Sequence, residues 1–346
     1  MQDVTLIGID LGKHSFYIHC QDKSGSEVFR KKMSRTQIFD FFSALPPTVV
    51  AMEACGGAHF MARKLNEFGH QAKLISPQYV RPFVKSIKND YVDAEAICEA
   101  ASRPSMRFVT PKNEIQQTLS ALHQVRRAFM RDRVCTANQV HSFLLEFGVA
   151  APRGRKTVKD LPTLIDQKSL SIEISAILEK LRSHYEYVND EITDIDKEIR
   201  RRMTADDLAR RLLTIPGVGF ITASALSGEL GDGKQFSCGR DFAASIGLVP
   251  RQKSTGGRPK LIGISKRGDK QVRTLLVLCA RSYITHLNSN SGELADWVRS
   301  LMARRHVNVV TCALANKIAR IAWAIATQQT VFKVQEISIF KAANGT

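Results

Sequence analysis

Apolar positions along this chain keep three different rhythms. From Val4 to Ile9 they form a short unbroken run that ends on Asp10 and the turn Leu11-Gly12-Lys13, the signature of a buried strand. The spacing predicts a meander of strands over Val4–Asp10, Ser15–Gln21 and Glu27–Lys32, with turn chemistry at Asp22-Lys23-Ser24-Gly25. A helix is expected from Thr36 to Leu45, stopped by Pro46-Pro47, and a fully apolar strand, Thr48 to Met52, ends on Glu53. Gly56-Gly57 open a helix through Phe68, and Ala72–Ser76 is a further strand before Pro77. Strands that first pair consecutively and then alternate with helices predict a mixed sheet in an α/β layer.

From residue 113 the rhythm becomes helical. Leu178, Leu181, Tyr185, Val188, Ile192, Ile195 and Ile199 recur at spacings of three and four, and Glu114–Phe147 carries a looser stripe with Leu119, Leu122, Phe129, Val140 and Leu144. The two segments are expected to pack as an antiparallel pair joined through Ala151 to Lys156, and to self-associate. The third rhythm is again helical but broken twice, first by Leu212-Leu213-Thr214-Ile215-Pro216-Gly217-Val218-Gly219 and then by a basic glycine-rich stretch after Gly247. Leu275, Leu276, Leu278, Leu287, Trp297, Leu301 and Val310 are its expected core, and the tail after Phe332 carries no clear chemistry. The expected division is 1–112, 113–205 and 206–346.

Charge decides the class of partner. The 346 residues carry a formal net charge of +17, which points to polyanions and first of all to nucleic acid. No apolar stretch is expected to reach bilayer length, so a cytoplasmic protein with no membrane partner is the expectation. Seven scattered cysteines with no C-x-x-C pair read as reduced core residues, and the dispersed histidines predict no histidine metal site.

The acids supply the candidate chemistry. Asp10 and Glu53 sit at the ends of two buried strands, where a sheet would present them side by side. Asp90 and Asp93 lie three apart in Ser86-Ile87-Lys88-Asn89-Asp90-Tyr91-Val92-Asp93, so a helix starting near Asn89 aims both at one point, although Asp90 also suits an N-cap and Asp93 a first turn. Four such acids would suit a pair of Mg2+ ions, which take oxygen ligands and assist phosphodiester displacement. The meander, Gly-Ile-Asp-x-Gly-Lys, Met-Glu-Ala-Cys-Gly and Asn-Asp-x-x-Asp-Ala resemble the D-E-D-D set of a RuvC-like, RNase H-fold nuclease domain.

Cations gather elsewhere. Arg126, Arg127, Arg131 and Arg133 form a helical run able to track phosphates. Gly217 and Gly219 belong to a helix-hairpin-helix pattern whose backbone amides can approach a phosphate. Between Arg251 and Arg273, eight bases, including Lys253, Arg258, Lys266 and Arg267, face the single acid Asp269. Within that loop Ser254 and Thr255 are hydroxyls beside the flexible Gly256-Gly257, where cations could activate a nucleophile.

These motifs together resemble, over nearly the whole chain, the IS110 and IS1111 insertion-sequence transposases, with the last two motifs leaning toward the IS1111 branch. The resemblance implies an α/β RNase H-like N-terminal domain, a coiled-coil middle and a mainly α C-terminal domain with helix-hairpin-helix. It implies an enzyme, a DNA recombinase guided by a structured non-coding (bridge or seek) RNA, acting on donor and target double-stranded DNA at the nucleoid. Homodimers would assemble into a homotetramer with composite sites. Asp10, Glu53, Asp90 and Asp93 would hold Mg2+, with Mn2+ as a substitute, while Ser254 attacks to form a covalent phosphoserine intermediate. Other family members show a single Ser-Gly here, so Thr255 competes with Ser254, which is preferred. A metal-dependent nuclease or junction resolvase using the same acids without a covalent intermediate is the alternative. The first phosphate loop of actin-like ATPases resembles Gly-Ile-Asp-Leu-Gly-Lys as well, but a second phosphate loop and an adenosine loop are missing from the sequence.

Overall fold

The computed structural model of the protein describes residues 4–85 and 89–333, apart from the side chains of Thr255 and Pro259. The Ser86-Ile87-Lys88 lead into the acidic helix and the tail beyond Lys333 lie outside the described residues. The chain divides into two compact units, 1–115 and 116–346. The helices expected as a separate middle region fall in the second unit with the C-terminal helices.

In the first unit the chain runs β1 (Leu6–Leu11), β2 (Ser15–Gln21), β3 (Glu27–Ser34), α1 (Arg35–Ser43), β4 (Val49–Glu53), α2 (Ala58–Glu67), β5 (Gln71–Ile75), α3 (Pro77–Val80), α4 (Asp90–Ala101) and β6 (Phe108–Val109). The sheet is mixed, in the order β3-β2-β1-β4-β5-β6, with β1, β4 and β5 parallel and the other pairings antiparallel. The two-residue strand β6 is too short to show a period in the sequence. Ser34 and Gln37 form a reciprocal capping box that starts α1 directly from β3. One sheet face packs Ile7, Ile9, Phe16 and Ile18 against Ile38, Phe42, Met61 and Leu65 of α1 and α2, and the other packs Ala51 and Ile75 against Ala96, Ile97 and Ala100 of α4. The α/β expectation for this unit is met.

The second unit opens with α5 (Glu114–Glu146), followed by α6 (Arg155–Lys159), α7 (Leu161–Gln167) and α8 (Ile172–Thr204). The long helices α5 and α8 run antiparallel, tied by Arg126 to Asp196, Arg133 to Asn189 at 3.0 Å and His184 to Asp132 at 3.2 Å. Leu178, Tyr185, Val188, Ile192 and Ile199 are buried as their spacing requires. The expected connector is itself helical, and Val158 and Leu161 from α6 and α7 close a core with Val140, Leu144 and Leu178.

Then come α9 (Asp207–Leu212), α10 (Phe220–Leu230), α11 (Gly239–Ser245), β7 (Pro250–Thr255), β8 (Arg258–Ile264), α12 (Lys270–Thr285), α13 (Glu293–Met302) and α14 (Val307–Gln328). Leu276, Leu314, Ile318 and Phe242 are among the fully buried residues of this helical core. Three expectations are corrected here. Leu278 is 55% exposed, because α12 turns that position outward while Leu276 and Cys279 point in. Of the cysteines, Cys20, Cys98 and Cys279 are buried, but Cys55 and Cys135 are exposed. The helix Val307–Gln328 is long and apolar enough to cross a membrane by length and composition, yet half of its apolar window is buried inside the protein, as a core helix requires.

Candidate functional site

The parallel pairing of β1 with β4 sets Ile9 beside Met52, which brings the next residues, Asp10 and Glu53, side by side at the carboxyl ends of both strands. Ligand sites of open α/β sheets lie outside that edge. The helix α4 crosses it with Asn89 as its cap, accepting from the Tyr91 amide at 3.0 Å. Asp90 is therefore freed from the capping role its sequence position suggested, and stands with Asp93 in the first turn.

Gly8 sets how closely the helix can approach. A Cβ there would lie 2.4 Å from the Ala94 carbonyl oxygen and 2.8 Å from Cys98 Sγ, so α4 rests directly on the backbone of β1. Carboxylate oxygens of Asp10, Asp90 and Asp93 then lie within 4.8 Å of one another. Glu53 stands outside that set, although it is close enough to feel Asp93.

The electrostatics are those of a cluster short of positive charge. Burial, then repulsion from Asp93, Asp90 and Glu53, pushes the Asp10 carboxyl up to about 6. Burial and Asp93 raise Glu53, and Arg81 partly offsets them. An all-oxygen donor set whose carboxylates repel one another fits a hard divalent cation. Sequence reasoning missed Arg81, which arrives from the turn after α3, and no spacing signal pointed to it. It also passed over Cys55, exposed two residues after Glu53.

The basic serine stretch is a regular hairpin where a flexible loop was expected. Thr255 pairs with Arg258 across Gly256 and Gly257, whose φ values of +59° and +77° suit a two-residue turn with both central residues left-handed. Ser254 is opposite Pro259, and Lys253 is opposite Lys260. Two like charges directly across a ladder are unfavourable unless an anion lies between them. Strand alternation puts Arg251 and Lys253 on one face and Gln252 and Ser254 on the other. The Ser254 hydroxyl accepts a 2.6 Å hydrogen bond from Gln252 Nε2. The pleat turns Arg251 and Lys253 to the face opposite the Ser254 hydroxyl. The side chain of Thr255 lies outside the described residues.

Among the other expected phosphate contacts, Arg251, Lys253, Gly256, Arg258, Lys266 and Arg267 are exposed, as are Arg127 and Arg131 on α5. Arg273 donates from Nη1 to the carbonyls of Ile246 at 2.8 Å and Arg267 at 3.1 Å, fastening the hairpin base to α12. Arg126 is likewise held, bidentate on Asp196, and serves the helix pair. Gly217, at φ +83°, is turned inward, since a Cβ would meet the Cys279 carbonyl oxygen at 2.9 Å. Gly219 is the cap residue of α10, whose first turn receives no side-chain hydrogen bond from it.

Two family models match the chain. One described as Transposase IS116/IS110/IS902 family covers residues 209–295, and a DEDD transposase model of the IS110 group covers 7–148. Among curated relatives, the transposase for insertion sequence element IS1328 of Yersinia enterocolitica is 58% identical over 96% of this chain and 99% of its own length. A probable family 20 transposase of Pseudomonas aeruginosa is 43% identical over 96% of this chain and 99% of its own. The transposase for IS1111A of Coxiella burnetii is 37% identical over 96% of this chain and 92% of its own.

Proposed function

Since the chain belongs to the IS110/IS1111 family of insertion-sequence transposases, we propose that it exchanges DNA strands by RNA-guided recombination with Ser254 as the nucleophile. In this reading residues 1–112 are an RNase H-like catalytic domain, 113–205 a coiled-coil dimerisation region and 206–346 a transposase domain with a helix-hairpin-helix at Gly217 and Gly219. The observation that carries it is the convergence of Asp10, Asp90 and Asp93 within 4.8 Å, where burial and the neighbouring acids together raise the Asp10 carboxyl.

Asp10, Asp90 and Asp93, with Glu53 at their side, would hold Mg2+, or Mn2+ in its place. The bound ion would supply charge stabilisation at the phosphate and the leaving oxygen. Ser254 Oγ forms a bond to phosphorus and gives its proton to water, while the bridging oxygen of the strand leaves with its electron pair and takes a proton from water. The phosphodiester energy is kept in the phosphoserine, and the hydroxyl of a second strand then displaces the serine. Arg251, Lys253 and Arg258 grip the backbone from the other face of the hairpin. A structured guide RNA would choose donor and target DNA by base pairing, while the protein reads backbone and shape. Because cleavage needs acids and serine at one phosphate, homodimers assembling as a tetramer would join the acidic unit of one protomer to the hairpin of another. The complex would act at the nucleoid, in the cytoplasm.

One observation favours a second reading. Ser254 is turned away from Arg251 and Lys253, as expected of a hairpin that only binds DNA and leaves hydrolysis to a metal-dependent nuclease or junction resolvase. The test is a denaturing gel on the protein with its co-purified RNA, Mg2+ and guide-matched DNA. An adduct lost in Ser254→Ala and Asp10→Ala supports the recombinase, whereas cleaved DNA without any adduct supports the nuclease.

A further inference from the structure

The acidic site continues sideways across the sheet. In the β1–β2 ladder Asp10 is directly opposite Tyr17, and in the β2–β3 ladder Tyr17 is directly opposite Lys32. Asp10, Tyr17 and Lys32 thus form one row on one face. One step along, Gly8, His19 and Arg30 form the parallel row, and α4 packs over Gly8. Tyr91, between Asp90 and Asp93 on α4, meets Tyr17 edge to face at 4.9 Å between ring centroids. The Lys32 ammonium lies 5.5 Å from the centroid of the Tyr17 ring, and the Arg30 guanidinium 5.5 Å from that of Tyr91.

Charge on β3 has a simpler use, since lysines on an edge strand discourage pairing with other sheets. That use needs no particular face and no aromatic neighbours. Here Arg30 and Lys32 share the face of the carboxylates, each over a tyrosine of the site, while Lys31 alternates to the opposite face. Arg30 is 60% exposed and only loosely matched by Glu27 at 3.9 Å, and among the described residues Lys32 forms no ion pair. At about 4.8 Å per strand, Lys32 stands roughly 10 Å from Asp10 in backbone terms. That is the span of a few nucleotides at about 3.4 Å of rise each.

We propose that Arg30 and Lys32, steadied over Tyr91 and Tyr17, form a phosphate clamp that holds the DNA strand beside the phosphodiester cut at Asp10, Asp90 and Asp93. The clamp rests on the reading of those acids as the DNA-cutting centre, and its occupant is DNA because the row ends on the carboxylates that act on it. Arg30 and Lys32 bind the substrate backbone. Tyr17 and Tyr91 are positioning residues that hold the two cations by their ring faces.

The test uses the full chain with its co-purified RNA in EDTA, titrated with a fluorescein-labelled DNA duplex of arbitrary sequence over a range of salt. Each lost phosphate contact flattens the slope of log affinity against log salt by about 0.9, so Arg30→Ala/Lys32→Ala is expected to flatten it by roughly 1.8. Arg30→Lys/Lys32→Arg should restore the slope, Tyr17→Phe should keep it, and Tyr17→Leu should lower it by about one contact. An unchanged slope in the double alanine variant, with an unchanged melting temperature, overturns the clamp. If that variant melts early, single Lys32→Gln decides, with a flattening of about 0.9 expected. A flattening seen with labelled guide RNA on RNA-free protein, but absent with DNA, also overturns it and gives the surface to the guide. Failure of the underlying reading is visible separately, as Mg2+-dependent DNA cleavage that survives in Asp10→Asn, because the slopes are measured without metal.

Discussion

Gln252 Nε2 donates to Ser254 Oγ over 2.6 Å, so the hydroxyl on which the covalent reading turns is held by a neighbour on its own face of the hairpin. The bond leaves the serine proton free to depart and fixes where the lone pairs point. Ser254→Ala is expected to abolish the protein–DNA adduct. Gln252→Ala removes one ordinary hydrogen bond of about 1 kcal/mol, so adduct formation should slow about five-fold and not cease. Single-turnover kinetics on guide-matched DNA measures both.

Asp10 is predicted to make the metal-free protein less stable as pH rises. Its carboxyl is pushed up to about 6 from an ordinary 3.8, so the folded chain holds that proton more tightly than the unfolded one. The penalty is absent below 3.8, grows as pH rises through that window and is complete above about 6. Asp10→Asn should therefore raise Tm at neutral pH in EDTA, by about 2–4 °C for each kcal/mol of burial cost and repulsion relieved. Mg2+ should raise the Tm of the unaltered protein and leave Asp10→Asn unchanged. Calorimetry with and without Mg2+ reads both effects, and a variant that melts lower in EDTA would count against a buried, repelled carboxylate at the site.

Gly8→Ala tests how the acids are brought together. The added methyl meets the Ala94 carbonyl oxygen at 2.4 Å, and backbone cannot yield as a side chain can. The expected result is a displaced α4, loss of Mg2+ binding by titration calorimetry and loss of DNA cleavage, with a stability cost of about 1–3 kcal/mol. The sheet itself should persist, so the far-ultraviolet circular dichroism should stay near that of the unaltered protein.

His123 on α5 lies 2.9 Å from Ser224 Oγ on α10 and is 4% exposed. Burial first, then Arg126, lowers it from 6.5 to about 4. Because the folded value lies below the unfolded one, the stabilisation is present above 6.5 and is lost as pH falls toward 4. The loss amounts to about 3 kcal/mol at most, from about 1.36 kcal/mol per unit. Urea denaturation between these pH values should show the decline, and His123→Gln should flatten it.

The local chemistry of this protein was legible because it depends on near neighbours in sequence. Apolar runs ending on Asp10 and Glu53 mark strand ends, a spacing of three places Asp90 and Asp93 in one helical turn, and the stripe from Leu178 to Ile199 is buried where a helix would bury it. The family, too, could be read from motifs alone. What sequence could not supply is the partner of each charge. Arg126 and Arg273 read as phosphate ligands in sequence, and only the fold shows Asp196 and the carbonyls of Ile246 and Arg267 as their partners. Ser254 sits among cations in sequence and apart from Arg251 and Lys253 in space, because one residue along a strand reverses the face.

By itself the sequence determined which residues are strand, helix and acid, since backbone preference and hydrophobic period act over a few residues. Tertiary structure alone decided that Gly8 admits α4 close enough to crowd three carboxylates, that Glu53 stands just outside them, and that Tyr17 and Lys32 continue the row from Asp10. Those are distances between segments far apart in the chain, and they are set by packing and strand register.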